Sequence, residues 1–383
     1  MTVAAPPQPQ PADVEALIEA ARRRQRRRRR LILVLVPAAV AVAIAGYLVF
    51  TAVIGGFRAT GGSPRRPGPG RSSAAIRLKS PSSLALGPHG TLYIADDGRE
   101  QILVRLSNGT LRVIAGTGAA GFSGDGGPAT RARLNWPGGM VLGRDGTLYF
   151  ADEANGRVRA ISPHGIISTI AGNGKGGWIQ TGTPARAATI GWPEAATFGP
   201  DGRLYIAASG ENEILRLERN DRLTVLAGNR KYAGVYGVGG PATHASPDVP
   251  SGLAFDRAGD LYIAGFAVKT LLMITPKGIM TDPAGIGGFY PRGYGLLVPA
   301  PDGSVLAANN QRIVRLTPRG MSTVIDFSDR AFDGVTGFLP QGIAVAANGE
   351  IYADTSPGNG YTNRTALIVV RPGGTPHVLW KGK

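Results

Sequence analysis

A unit of four short apolar runs separated by Gly-, Pro- and Asp-rich turns recurs six times between residues 76 and 383, which predicts an all-β chain. Two further observations sharpen the class. The runs are of strand length, with turn residues wherever the chain must reverse. One such unit cannot bury its own apolar faces, so a tandem series implies a closed, stacked architecture. The predicted fold is a six-bladed β-propeller of four-stranded antiparallel blades, preceded by one transmembrane helix.

Composition bounds this reading. The 383 residues include 57 Gly, 29 Pro and no Cys, and 43% are hydrophobic. Such Gly and Pro content beside intact apolar periodicity supplies turns rather than disorder. Without Cys, disulfides and thiolate metal sites are excluded. Of the net charge of +16, residues 1–30 carry +5 and residues 55–74 carry +4, leaving +7 on 75–383. Most of the excess thus lies outside the repeats, so no nucleic-acid partner is expected from it.

Taken in order, residues 1–11 are Pro/Gln-rich and lack a core-forming pattern. Residues 12–30 favour a helix and end in ARRRQRRRRR, making 1–30 a basic cytoplasmic tail. Residues 31–54 form a 24-residue run without a charge. As a helix it is about 36 Å long, enough to cross a bilayer core. Eight Arg precede it and four follow, so the positive-inside bias places the N-terminus in the cytoplasm and the rest outside. A cleavable signal peptide is the alternative, with Arg28-Arg29 as a loose twin-arginine signal and Ala43-Ile44-Ala45 as the cleavage site. The apolar run continues past that site, which favours an uncleaved signal anchor. Residues 55–74 read as a flexible Gly/Pro/Arg linker before the propeller at 75–383.

Each repeat opens on an X-Pro step: Ser80-Pro81, Trp136-Pro137, Trp192-Pro193, Val249-Pro250, Tyr290-Pro291 and Leu339-Pro340. A turn glycine follows at Gly90, Gly146, Gly202, Gly259, Gly303 and Gly349. These are spaced by 56, 56, 57, 44 and 46 residues, so the first three connections carry insertions. The fourth run is weakest in the GIMT segment at 278–281.

The second copy, Pro137-Gly138-Gly139, then DGTLYFAD at 145–152 and NGRV at 155–158, resembles the NHL repeat. The segment GTGAAGFSGDGGPATRARLNWP (116–137) resembles a version found in bacterial secreted NHL proteins and in the teneurin propeller. The whole is also similar to the sensor propellers of bacterial receptor kinases. The resemblance implies the fold and a turn pairing of Asp152 with Arg157. It leaves function open among binding modules, sensors, RNA readers and occasional enzymes.

In such a fold the X-Pro steps and the insertions share one end of the central channel. The insertions end in related GGPATRA, GTPARA and GGPATHA segments, and long loops on rigid scaffolds carry binding residues. Phe122, Trp178, Tyr232 and Tyr236 read as exposed aromatics there, with Trp136 and Trp192 at the exits. Trp136 and Trp192 serve equally as core caps or as binding anchors, whereas Trp178 falls outside their pattern and is read as a binding residue. Residues following each Pro should ring the channel mouth: Ser82, Gly138, Glu194, Ser251, Arg292 and Gln341. Glu194 with Arg292 would pair, or grip an acidic or zwitterionic ligand. One carboxylate and one guanidinium make a poor divalent-cation ring, and no His stands at triad or zinc spacing. No catalytic residue, metal or cofactor is expected. The candidate ligand-binding set is Phe122, Trp136, Trp178, Trp192, Glu194, Tyr236, Arg292 and Gln341. The expected function is a membrane-anchored binding, scaffold or sensor module for a protein, peptide or glycan. The alternatives are a gluconolactonase-like or lyase-type enzyme at the channel mouth and an RNA-binding domain.

Overall fold

The computed structural model describes residues 76–228, 234–265, 271–283, 296–309, 312–317, 320–327, 340–355 and 365–381. The tail, membrane span and linker expected in 1–74 lie outside these residues, as do Tyr232, Tyr290-Pro291, Arg292 and Leu339. Among the described residues no helix is long and apolar enough to cross a membrane.

The repeats are blades. Blade 1 comprises β1 (Pro81–Leu86), β2 (Leu92–Asp96), β3 (Gln101–Arg105) and β4 (Leu111–Ala115). Blade 2 comprises β5 (Pro137–Leu142), β6 (Leu148–Asp152), β7 (Arg157–Ile161) and β8 (Ile167–Ala171). After β9 (Thr183–Pro184), blade 3 runs through β10 (Pro193–Phe198), β11 (Leu204–Ala208), β12 (Glu213–Leu217) and β13 (Arg222–Ala227). β14 (Val235–Tyr236) and β15 (Ser246–Pro247) pair with each other ahead of blade 4. That blade holds β16 (Pro250–Phe255), β17 (Leu261–Gly265), β18 (Leu271–Ile274) and the two-residue β19 (Met280–Thr281). Blade 5 holds β20 (Leu297–Pro299), β21 (Val305–Ala308), β22 (Arg312–Thr317) and β23 (Gly320–Asp326). Blade 6 holds β24 (Pro340–Val345), β25 (Ile351–Thr355), β26 (Ala366–Val370) and β27 (Pro376–Lys381). Within each blade, neighbours in sequence are neighbours in the sheet.

The LY(I/F)A run explains how a blade packs. Successive side chains on a strand point to opposite faces, and here both faces are covered. In β2, Leu92 and Ile94 join the apolar cluster shared with blade 6, while Tyr93 and Ala95 join the cluster shared with blade 2. Four further clusters fill the remaining blade-to-blade interfaces. Each Leu or Ile buried this way contributes about 1.5–3 kcal/mol. The first hairpin of each blade reverses on a glycine with φ between +72° and +87°, a region that side chains with a Cβ rarely adopt.

Closure of the ring needs no exchanged strand. Blade 6 takes all four strands from the C-terminal end of the chain. Leu78 and Ile76 wedge into the cluster between blades 6 and 1, beside Leu84, Ala344 and Leu367. The backbone N–H groups of Lys79 and Ser80 both donate to the Asp96 carboxylate, each at 2.8 Å. Along the axis, Leu84, Met140, Leu253, Leu297 and Val298 leave a cavity of only about 30 Å³. That is room for about one water.

Candidate functional site

The three insertions follow one plan. In the first, Gly116 N–H donates to Ala129 C=O while Ala129 N–H donates to Gly165 C=O, tying the end of blade 1 to the outer strand of blade 2. In the second, Gly172 donates to Ala185 and Ala185 to Asp221; in the third, Gly228 donates to Ala245 and Ala242 to Gly278. The Ala residues that open these short turns, Ala129, Ala185 and Ala242, are at most 2% exposed, so nothing larger than a methyl fits. The related Gly-Pro-Ala ends are therefore staples between blade rims, not ligand groups. They pack against the outer hairpin of the following blade.

Buried ions fasten the first insertion. Arg159 is fully buried and pairs with Asp125 at 2.7 Å and with Asp152 at 3.2 Å. It also donates to the carbonyls of Ser123 and Arg133. Asp125 in turn accepts from the N–H and hydroxyl of Thr169. Arg157 faces Asp152 in the strand register, yet its guanidinium donates to the carbonyls of Asn155 and Asn173. The turn pairing implied by resemblance thus goes to Arg159 instead, because the insertion returns Asp125 to that side. Asp152, stripped of water, is pushed up to about 6 despite Arg159 and its hydrogen bonds.

Carboxylates hold the chain as it enters the first strands of blades 1, 2 and 3. Asp96 takes Lys79 and Ser80, and Asp152 takes Asn135 at 2.8 Å. Blade 3 has Ala208 at this place, and Glu211 takes over, accepting from Gly177 and Gly191 at 2.7 Å each. Glu211 was not singled out from sequence; the missing acid at 208 with a Glu three residues on was the available signal. Glu100 accepts from Trp136 N–H at 2.6 Å, and burial pushes it up to about 7.

Residues that follow the prolines fall at bulges in β1, β10, β16 and β24, which turns them out of the ladder, whereas in β5 Gly138 stays paired with Ala151 and the bulge follows it. They do not form an open ring. Ser82, Gly138, Glu194 and Ser251 are buried. Ser82 donates to Pro137 C=O, Ser251 to Ala264 C=O, and Ser209 Oγ donates to Glu194 Oε1 at 2.7 Å. Gln341, half-buried, donates to Pro340 C=O. Glu194 thus meets Ser209, and its expected partner Arg292 lies outside the described residues. Among the described residues no three acidic or His side chains are placed to hold a metal ion.

Two of the predicted aromatics meet. Trp136 and Trp192, on adjacent blades, lie with ring centroids 5.8 Å apart and planes tilted by 40°. Both precede a proline at positive φ, +57° and +49°, a strained posture for a bulky residue. Phe122 is 41% exposed with the Arg157 guanidinium 3.8 Å above its ring, so one aromatic face is already taken. Trp178, 42% exposed, stands four residues before Gly182 as Phe122 stands before Gly126. Tyr236 is 50% exposed in β14.

Comparison with known proteins bears on the family. The family model of the teneurin NHL domain matches residues 109–274. The chain carries an NHL-repeat propeller. Teneurin-m of Drosophila melanogaster is 30% identical over 214 residues, covering 50% of this chain and 8% of that protein. Human Teneurin-4 is 24% identical over 297 residues, covering 69% of this chain and 10% of its own length. The NHL propeller thus spans a small part of these relatives. Among solved structures, a streptogramin B lyase superposes with a TM-score of 0.50 at 14% identity, covering 80% of this chain and 84% of the lyase. A putative gluconolactonase does so with the same score and identity, over 79% and 91%. At that identity the likeness concerns the fold alone.

Proposed function

We propose that this NHL propeller is a binding module that captures a protein partner on its insertion-bearing side. One observation carries the reading: three consecutive insertions are pinned to rigid blade rims, and each presents an exposed aromatic, at Phe122, Trp178 and Tyr236. Aromatics held on a rigid frame bury large area at little entropic cost, which suits an interface anchor. The kinship with teneurin NHL domains supports an interaction role in general terms. We infer further that residues 31–54 anchor the chain in the membrane with the propeller outside the cytoplasm. The Arg bias around that apolar run supports this orientation.

The test is partner capture from the native environment by the full-length protein and two variants. Deleting residues 118–132 and 174–188, and separately combining Phe122→Ala, Trp178→Ala and Tyr236→Ala, should each abolish capture. Unchanged capture by both would overturn the binding reading. Protease treatment of intact cells should cleave the propeller, and full protection would overturn the topology.

A further inference from the structure

The described parts of the insertions, 116–136, 173–192 and 234–249, expose charge of one sign. Arg131, Arg133, Lys175 and Arg186 are exposed. The exposed acid among them is Asp125, and Arg159 and Thr169 already hold its two oxygens. The other acids beside the insertions, Asp152, Glu153, Glu211 and Asp248, are buried. Arg77 and Lys79 extend the same polarity to blade 1. They enter it as Arg133 and Asn135 enter blade 2, with Lys79 and Asn135 N–H donating to Asp96 and Asp152 in turn.

Three cations border one exposed ring at the seam between the first and second insertions. The ring is Phe122, and the Arg157 guanidinium lies 3.8 Å from its centre. That guanidinium donates to Asn155 C=O and to Asn173 C=O, where the second insertion begins. A Cβ on Gly174 would strike it, so the second insertion runs directly against Arg157. Lys175 follows, its N–H donating to Asn173 Oδ1. From the other side, the Arg133 guanidinium donates to Ala120 C=O and would stand 3.1 Å from a Cβ on Gly121, the residue before Phe122. Trp178 lies three residues beyond Lys175.

Among the described residues no carboxylate forms an ion pair with Arg133, Arg157 or Lys175. The carbonyls use two of the five N–H donors of Arg157 and one of those of Arg133. Donors and positive charge therefore stand ready around an aromatic ring with one face already covered. An acidic stretch of polypeptide matches that pattern. Side chains at alternate positions of an extended chain lie about 7 Å apart on one face, so two carboxylates reach separate cations while an apolar neighbour covers the ring. A sulfated polysaccharide would match the charge and leave the ring without an apolar partner.

We propose that the partner captured on the insertion side presents an acidic segment at this seam. Its carboxylates meet Arg133, Arg157 and Lys175, and an apolar side chain covers Phe122. The inference rests on the binding-module reading and names the chemistry of the partner.

The experiment titrates rhodamine-labelled Glu-Leu-Glu-Phe-Glu with the full-length protein and follows fluorescence anisotropy, beside the same peptide with Gln at every Glu. Saturable binding is expected for the acidic peptide, weakening as salt rises from about 50 to 300 mM, and none for the Gln peptide. Arg133→Gln and Lys175→Gln, both exposed, should each weaken binding by about threefold, as for one exposed charge pair. Arg144→Gln, in the first hairpin of blade 2 at the opposite end of its strands, should leave binding unchanged. Thermal melts show whether the variants remain folded. Equal binding of the Gln peptide, or full affinity in both folded seam variants, overturns the proposal. So does saturable binding of a heparin hexasaccharide or a ten-nucleotide RNA without binding of the acidic peptide. Should the acidic peptide fail while the combined Phe122→Ala, Trp178→Ala and Tyr236→Ala variant still abolishes partner capture, this inference falls alone. Should capture survive both insertion variants, the binding-module reading falls and takes this inference with it.

Discussion

Replacing Arg159 with Met keeps most of the aliphatic volume and removes the guanidinium that fastens the first insertion. The charge contacts Asp125 and Asp152, and two carbonyls accept from it as well. Asp152 is fully buried and would be stranded, a change that typically costs about 3–5 kcal/mol. Against a total stability of roughly 5–15 kcal/mol this is a large fraction. At about 2–4 °C per kcal/mol for a domain of 150–250 residues, melting should drop by on the order of 10 °C. The loss should also depend on pH. Asp152 titrates near 6 in the folded protein, above its usual 3.8, so ionisation disfavours the fold. Below about pH 4 the acid is protonated in both states and contributes nothing. As pH rises through the folded value the penalty grows, and without Arg159 to offset it the penalty is larger. Urea denaturation followed by tryptophan fluorescence should therefore show a greater deficit for Arg159→Met at pH 8 than at pH 5. A deficit below about 1 kcal/mol, or one equal at both pH values, would refute the role given to this ion pair.

Glu100, Asp152 and Asp354 are all raised by burial, to about 7, 6 and 8. The folded protein therefore holds more protons than the unfolded chain across about pH 4–8, and stability should fall as pH rises through that window; a higher melting temperature at pH 8 than at pH 5 would contradict this. Gly139→Ala should cost about 3 kcal/mol or more, because its Cβ would meet Glu194 C=O at a φ of +49°. Gly182→Ala, at φ +93° with open space around it, should cost only about 1 kcal/mol by the same denaturation assay. Glu211→Ala removes the acceptor of two insertion N–H groups, so hydrogen exchange should quicken at Gly177 and Gly191 while the blade strands keep their protection.

How much of this was legible in the sequence depends on the range of the interaction. The LY(I/F)A runs declared their burial because a blade sheltered on both faces needs apolar residues at every position of the strand. The turn glycines declared the hairpins because their φ requires the missing Cβ. Asp96 and Asp152 accept from N–H groups at the entry to their own repeat, so these partners are local in sequence. The partner of Arg159 was not legible, because Asp125 reaches it only when the insertion folds back across blade 2. Nor was the contact of Trp136 with Trp192, which joins two blades 56 residues apart. The residues after the prolines were expected to ring the channel mouth, and those described are buried or half-buried. Adjacent first strands approach closely there: a Cβ on Gly139 would collide with Glu194 C=O, and one on Gly342 would lie 3.1 Å from Leu84 N.

By itself, then, the sequence determined the blade, its sixfold repetition and the restriction of long insertions to three consecutive connections, all set by hydrogen bonding and apolar periodicity within about fifty residues. Only the tertiary structure decided that the Gly-Pro-Ala ends staple blade rims, that Glu211 replaces a missing Asp, and that buried Asp354 accepts from Gly342 N–H at the bulge of β24. Each of those outcomes depends on two distant segments meeting in a dry interior. There the energy of a charge or a hydrogen bond is fixed by the group opposite it and not by its neighbours along the chain.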